Sequence, residues 1–140
     1  MLRMAIPYLA CMLAASLEFR LPPRVLPSIQ RIEGGQPGLA HSNADGSVDL
    51  GVMQVNSRWV PRVAAVLGQS QEAVRDRLRN EPCFNIEVGA AIMRVCLRET
   101  GGDLLRAVGL YHSHTPALAN DYLYRVLRAA TEMFVRPNRT

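Results

Sequence analysis

The longest apolar run in the chain, Met4–Leu17, covers 14 residues, short of the roughly 20 that a helix needs to cross a membrane. Within it Ile6, Leu9, Leu13 and Leu17 recur at the spacing of one helical face. The run therefore predicts a helix from about Ile6 to Glu18 that packs on a core, with no integral membrane span. The chain has 140 residues, 49% hydrophobic and 20% charged, which suits one compact domain with one core. The same composition excludes a disordered tail, a collagen-like repeat or a coiled coil as the dominant state.

The rest reads as mostly helical. Pro22-Pro23 break the chain and open a second helix towards Glu33, which starts late or kinks because of Pro27, and Gly34-Gly35 end it. His41–Ser47 is polar and reads as a turn-rich loop, and Val48–Asn56 as a short strand or a tight turn around Gly51. Helices are expected at Ser57–Leu67, Gln71–Arg79, Phe84–Glu99, Leu104–Tyr111 and Ala117–Phe134. Ser70, Asp103 and Thr115 are their N-cap candidates, with Pro116 at the first position of the last helix. Arg136–Thr140 is expected to fray.

The net charge is +4 and every one of the 16 basic residues is arginine. A GC-rich coding habit accounts for that, and so does an anionic partner such as a cell-wall polymer or a membrane surface. Nucleic acid is not expected, because Arg75, Arg77 and Arg79 alternate with Asp76 and Leu78 like a solvated helical face, without interleaved aromatics. Met1–Ser16 has two readings. Arg3, the apolar stretch and Ala14-Ala15-Ser16 resemble an export signal, while the periodicity makes it the first helix of the domain. Cys83 and Cys96 bracket one predicted helix, which separates them by roughly 15–20 Å, beyond disulfide reach. No Cys-x-x-Cys or His-x₃-His spacing points to zinc.

Three clusters can carry chemistry. Glu33 ends a helix whose Leu26, Ile29 and Ile32 predict burial. A partly desolvated carboxyl there can act as a general acid near neutral pH, or it is a surface glutamate at an unfavourable helix end. Gln54 and Asn56 lie among apolar neighbours after Gly51, and either fix a polar ligand such as a sugar or satisfy a turn. Tyr111, His112 and His114 follow; the histidines lack a third metal ligand at sensible spacing, and a sugar cleft suits Tyr111 and His112 better.

Taken in order, Glu33-Gly34, Gly51-Val52-Met53-Gln54-Val55-Asn56-Ser57, Pro82-Cys83-Phe84-Asn85-Ile86-x-x-Gly89-Ala90 and Ala107-Val108-Gly109-Leu110-Tyr111-His112 resemble the soluble lytic transglycosylase family. That family's pattern is Glu-Ser, Gly-Leu-Met-Gln-Ile-Asn, Asn-Ile-x-x-Gly and Ala-Tyr-Asn, and the likeness covers Pro22 to Val126. Small specialised members that accompany conjugation and type IV or type III secretion are the nearest in kind. They often carry a cysteine about as far ahead of the catalytic glutamate as Cys11 stands from Glu33, and another in a Pro-Cys such as Pro82-Cys83. The resemblance thus implies a Cys11–Cys83 disulfide, with Met4–Leu17 as the first helix.

It further implies a mainly α, lysozyme-like fold with at most a minimal β element. Residues 1–21 would be an N-terminal helix, with service as an export signal left open as an alternative, 22–134 the catalytic domain and 135–140 a tail. The substrate would be peptidoglycan, cut between N-acetylmuramic acid and N-acetylglucosamine without cofactor or metal, in the periplasm or cell envelope. Glu33 would be the single acid/base; Met53, Gln54, Tyr111, His112 and Tyr122 would bind substrate, with Tyr111 placing the N-acetyl group or Glu33. Asp49 would order a loop. Departures are Gly34 for Ser, Val52 for Leu and His112 for Asn. The alternatives are a lysozyme-like hydrolytic muramidase and a non-catalytic glycan-binding assembly factor.

Overall fold

The structure is a computed structural model that describes residues 5–136. Arg3, on which part of the export-signal reading rests, and the expected fraying beyond Arg136 lie outside the described residues. The described chain is mainly α with one small sheet: α1 (Leu9–Glu18), α2 (Val25–Glu33), β1 (Ala40–Ser42), β2 (Val48–Leu50), β3 (Val55–Asn56), α3 (Val60–Leu67), α4 (Gln71–Asn80), α5 (Pro82–Glu99), α6 (Leu104–His112) and α7 (Pro116–Ala130). The architecture is that of a lysozyme-like domain.

The first helix departs from its expected form in two ways. It begins at Leu9, because Tyr8 adopts a left-handed conformation (φ 56) after Pro7. Its buried residues are Met12, Ala15 and Ser16, whereas Leu9, Leu13 and Leu17 stay 41%, 43% and 82% exposed. The leucine face that periodicity assigned to the core therefore points outward. Small Ala15 and Ser16 let α1 approach α5, and a Cys11–Cys83 disulfide (Cα–Cα 5.3 Å) ties the two helices together. Arg94 adds to the clamp: its guanidinium donates to the carbonyls of Phe19 (2.8 Å) and Arg20 (2.6 Å) just after α1. Cys96 is a buried free thiol.

Pro27 falls in the first turn of α2, where its missing N–H costs no helical hydrogen bond, so the helix starts late without breaking. α5 begins at Pro82, two residues ahead of the expected Phe84, for the same reason. It runs through the centre against α1, α2, α4 and α6, with Ile86, Ala90 and Met93 fully buried. Ser70 and Asp103 cap α4 and α6 by accepting from the N–H of Ala73 and Arg106. Thr115 occupies the N-cap of α7 but makes no side-chain bond; Ser113 Oγ instead accepts the Thr115 N–H at 3.0 Å. The last helix ends at Ala130 and widens into a π-type turn, Thr131–Val135.

Val48–Asn56 is both of the things its sequence allowed: strand β2, a turn at Gly51–Gln54, then β3. The preceding polar loop contributes β1, so that His41 and Ser42 are strand residues paired antiparallel with Asp49 and Val48. Ser57–Trp59 forms a 3₁₀ turn ahead of α3. The arginines of α4 are more than a solvated face. Arg77 lies 3.8 Å from the ring centre of Phe84 and pairs with Glu81, and Arg79 donates to the Gly38 carbonyl, tying α4 to the chain that enters β1.

Candidate active site

Glu33 is the last residue of α2. Ile29 and Leu26, one and two turns back, are fully buried and hold the helix on the core, so the carboxyl emerges at the core's edge, half-buried. Gly34 closes the helix in a left-handed conformation (φ 63), its N–H on the Gln30 carbonyl at 2.8 Å. A serine here would have room but would need a backbone that a side chain disfavours. Gly35 has no such room, since a Cβ would collide with the carbonyl oxygens of Gly51 and Val52. This close approach brings the Gly51–Gln54 turn beside Glu33.

Asn85 fixes that turn from below. Buried in the first turns of α5, it accepts the Met53 N–H (2.7 Å) and donates to the carbonyls of Leu50 (2.7 Å) and Leu78 (2.8 Å). Met53 is fully buried, with its side chain against Gly89, where a Cβ would stand 3.2–3.3 Å from it. It is therefore a core residue rather than the cleft-lining side chain expected of it. Its carbonyl accepts from Tyr111 Oη at 3.1 Å, which locks α6 to the same turn. Gln54, forced to φ 53, folds its amide back onto the Gly51 carbonyl (2.9 Å) at the cleft wall.

An open cavity of about 230 Å³ lies over these groups, walled by Glu33, Asp49, Gln54, Asn56, Tyr111 and His112 among others. Strand register places His41, Asp49 and Asn56 in one row across the sheet. Asn56 Nδ2 donates to Asp49 Oδ1 at 3.0 Å, and His41 Nδ1 stands 3.9 Å from the same carboxylate. Asp49 thus orders the sheet, and its charge also reaches Glu33.

Tyr122 on α7 donates its hydroxyl to Glu33 Oε2 at 2.7 Å. His112 stacks flat on the Tyr122 ring, 4.8 Å between centroids and 8° from parallel. The tyrosine that touches Glu33 is therefore Tyr122, itself buried, while Tyr111 holds Met53. Burial dominates the ionisation of Glu33 and raises its pKa to about 7; the Tyr122 bond and Arg125 oppose the rise, and Asp49 adds to it. Burial, helped by Arg125, lowers the pKa of His112. His114 lies elsewhere, paired with Glu99 at 2.8 Å. Among the described residues no group of three or more His, Cys, Asp or Glu is placed to hold a metal ion.

Several site residues escaped the sequence reading. Asn85 stood in a quoted motif without a role; a lone amide in an apolar stretch was its signal. Asn43, Asp45, Ser47, Arg58 and Trp59 also line the cleft. Asn43, Asp45 and Ser47 were marked only as members of a polar loop, and Arg58 and Trp59 only by following the Gln54–Asn56 cluster, which are weak signals.

A glutamate at the end of a buried helix, facing a polar cleft across a three-stranded sheet, defines a lysozyme-like class of fold and site. The chain belongs to the family described as the Transglycosylase SLT domain, which matches residues 10–128. It is also similar to the invasion protein IagB of Salmonella typhimurium strains SL1344 and LT2 and of Salmonella typhi. Each shares 31% identity over 125 residues, covering 89% of this chain and 74% of that protein. Among the described residues no helix is long and apolar enough to cross a membrane.

Proposed function

We propose that the protein is a peptidoglycan lytic transglycosylase of the cell envelope in which Glu33 is the sole acid/base. The observation that carries this reading is a desolvated Glu33 carboxyl, its pKa about 7, opening onto a polar cleft with no competing acid on its own helix end. Protonated Glu33 gives its proton to the glycosidic oxygen between N-acetylmuramic acid and N-acetylglucosamine, and the C1–O bond breaks through an oxocarbenium-like state. The resulting carboxylate takes the proton of the muramoyl 6-hydroxyl, whose oxygen bonds to C1 and closes a 1,6-anhydro ring. Glu33 ends protonated, and no water is consumed.

Tyr122 orients the carboxyl and stabilises it while it is ionised, and His112 keeps the Tyr122 ring in place. The Salmonella relatives carry the name invasion protein, which supports local wall opening for an envelope-spanning apparatus as the setting. Asp49, a second carboxylate in the cleft, favours a hydrolytic muramidase as the competing reading.

Mass spectrometry of digested peptidoglycan separates the two. Anhydro-muropeptides are expected, and reducing-end products would overturn the transglycosylase in favour of the muramidase. Glu33→Gln should lower turnover by about 10²–10⁴-fold. Full cleavage by that variant would remove Glu33 from the mechanism.

A further inference from the structure

We propose that Arg58 forms a carboxylate-binding subsite in the Glu33 cleft, through which the protein takes glycan strands that still carry their peptide stems. This rests on the peptidoglycan reading above and specifies the form of the polymer. The backbone of Arg58 is fixed: its N–H donates to Asn56 Oδ1 at 3.0 Å within the 3₁₀ turn that follows β3. Its exposed side chain lines the same cavity as Glu33 and is the one guanidinium among the described residues that do so. No hydrogen bond or ion pair holds that guanidinium among the described residues.

The neighbouring acids are committed elsewhere. Asp45 Oδ1 accepts from the Ser47 N–H (2.9 Å) and hydroxyl (2.6 Å), Asp49 Oδ1 from Asn56, and Glu33 Oε2 from Tyr122. Burial, the largest cause, lowers the pKa of His112 and so disfavours its cationic form. Arg125 acts on Glu33 and His112 from α7 without lining the cavity.

The chemistry of the polymer selects the ligand. N-acetylated sugars are uncharged, so the anionic groups of a peptidoglycan strand are the carboxylates of the stem attached to the muramoyl lactyl ether. A planar guanidinium matches a carboxylate with two parallel hydrogen bonds. Asp49 repels a stem carboxylate at its own part of the wall, whereas Asp45 lies close enough to Arg58 for the two charges to attract without forming an ion pair. Arg58 therefore sets where the stem lies, and with it which glycosidic bond rests over Glu33.

The test compares peptide-bearing strands with strands stripped by an N-acetylmuramoyl-L-alanine amidase and then amidated at the lactyl carboxylate that this hydrolysis exposes, on wild type, Arg58→Ala and Arg58→Lys. The readout is the ratio of kcat/KM on bearing over stripped strands. A charge-assisted contact of about 1.5–3 kcal/mol predicts that Arg58→Ala lowers this ratio roughly 10- to 150-fold, with partial recovery in Arg58→Lys. An unchanged ratio overturns the subsite, even if both rates fall. Co-sedimentation of the Glu33→Gln protein, with and without Arg58→Ala, reads the subsite without catalysis. Stem-dependent retention lost with Arg58 supports it even if wild type cleaves neither substrate, a result that would defeat the catalytic reading alone. Equal retention on both polymers overturns the subsite.

Discussion

At the scale of single residues, the proposed mechanism makes the pair Glu33–Tyr122 control when the site can act. Glu33 must be protonated to donate, and its pKa of about 7 makes kcat/KM fall as pH rises through that value. The Tyr122 hydroxyl stabilises the ionised carboxylate and so holds the pKa down. Tyr122→Phe removes that bond, and the alkaline limb of the pH profile should move to higher pH while kcat drops. A limb left in place, measured by muropeptide release across pH 5–9 (a range of about four units around the Glu33 pKa), would remove Tyr122 from control of the acid. The replacement of the family's serine by Gly34 is understandable at this scale, since a left-handed backbone is least strained with glycine.

At the scale of elements, α5 and the Gly51–Gln54 turn form one unit through Asn85. Its three hydrogen bonds reach the turn, the end of β2 and the end of α4, all inside the core. Asn85→Ala removes the side-chain partner of the Met53 N–H and of the Leu50 and Leu78 carbonyls, at about 1–3 kcal/mol for each group left unsatisfied. A loss of at least about 3 kcal/mol in denaturant unfolding is expected, and activity should fall with it because the turn carries Gln54 and anchors Tyr111. A loss below about 1 kcal/mol would show that water replaces Asn85. The helices themselves were legible in the chain, since caps, prolines and glycines act within a turn of where they stand. Asn85 was legible only as an oddity, because its partners lie 7, 32 and 35 positions away.

For the whole molecule, the Cys11–Cys83 bond closes a loop with a sequence separation of 72 and fastens α1 to the central helix. Reduction should destabilise the fold by about 4 kcal/mol on the loop-entropy view. Thiol labelling of the native oxidised protein should spare Cys11 and Cys83. Cys96 should label slowly as well, because burial raises its pKa to about 11. Rapid labelling of Cys11 before reduction would refute the bond. The clamp also explains the outward leucines of α1: once Cys11 is tied to Cys83, the helix face carrying Met12, Ala15 and Ser16 turns to α5, and the more apolar face is left outside.

The sequence by itself determined the helical class, the order of the motifs and the glutamate on which the proposed chemistry turns. The helical class rests on periodicity, capping and punctuation within a few residues, where local sterics and hydrogen bonding dominate, while the glutamate was singled out by the resemblance that the ordered motifs carry. Only the tertiary structure decided which face of α1 is buried, that Met53 belongs to the core, and that Arg58 stands unpaired over the cleft. It alone brought Tyr122 onto Glu33 across 89 positions of chain. Such choices depend on which distant groups compete for the same space and the same donors, and no local pattern records that competition.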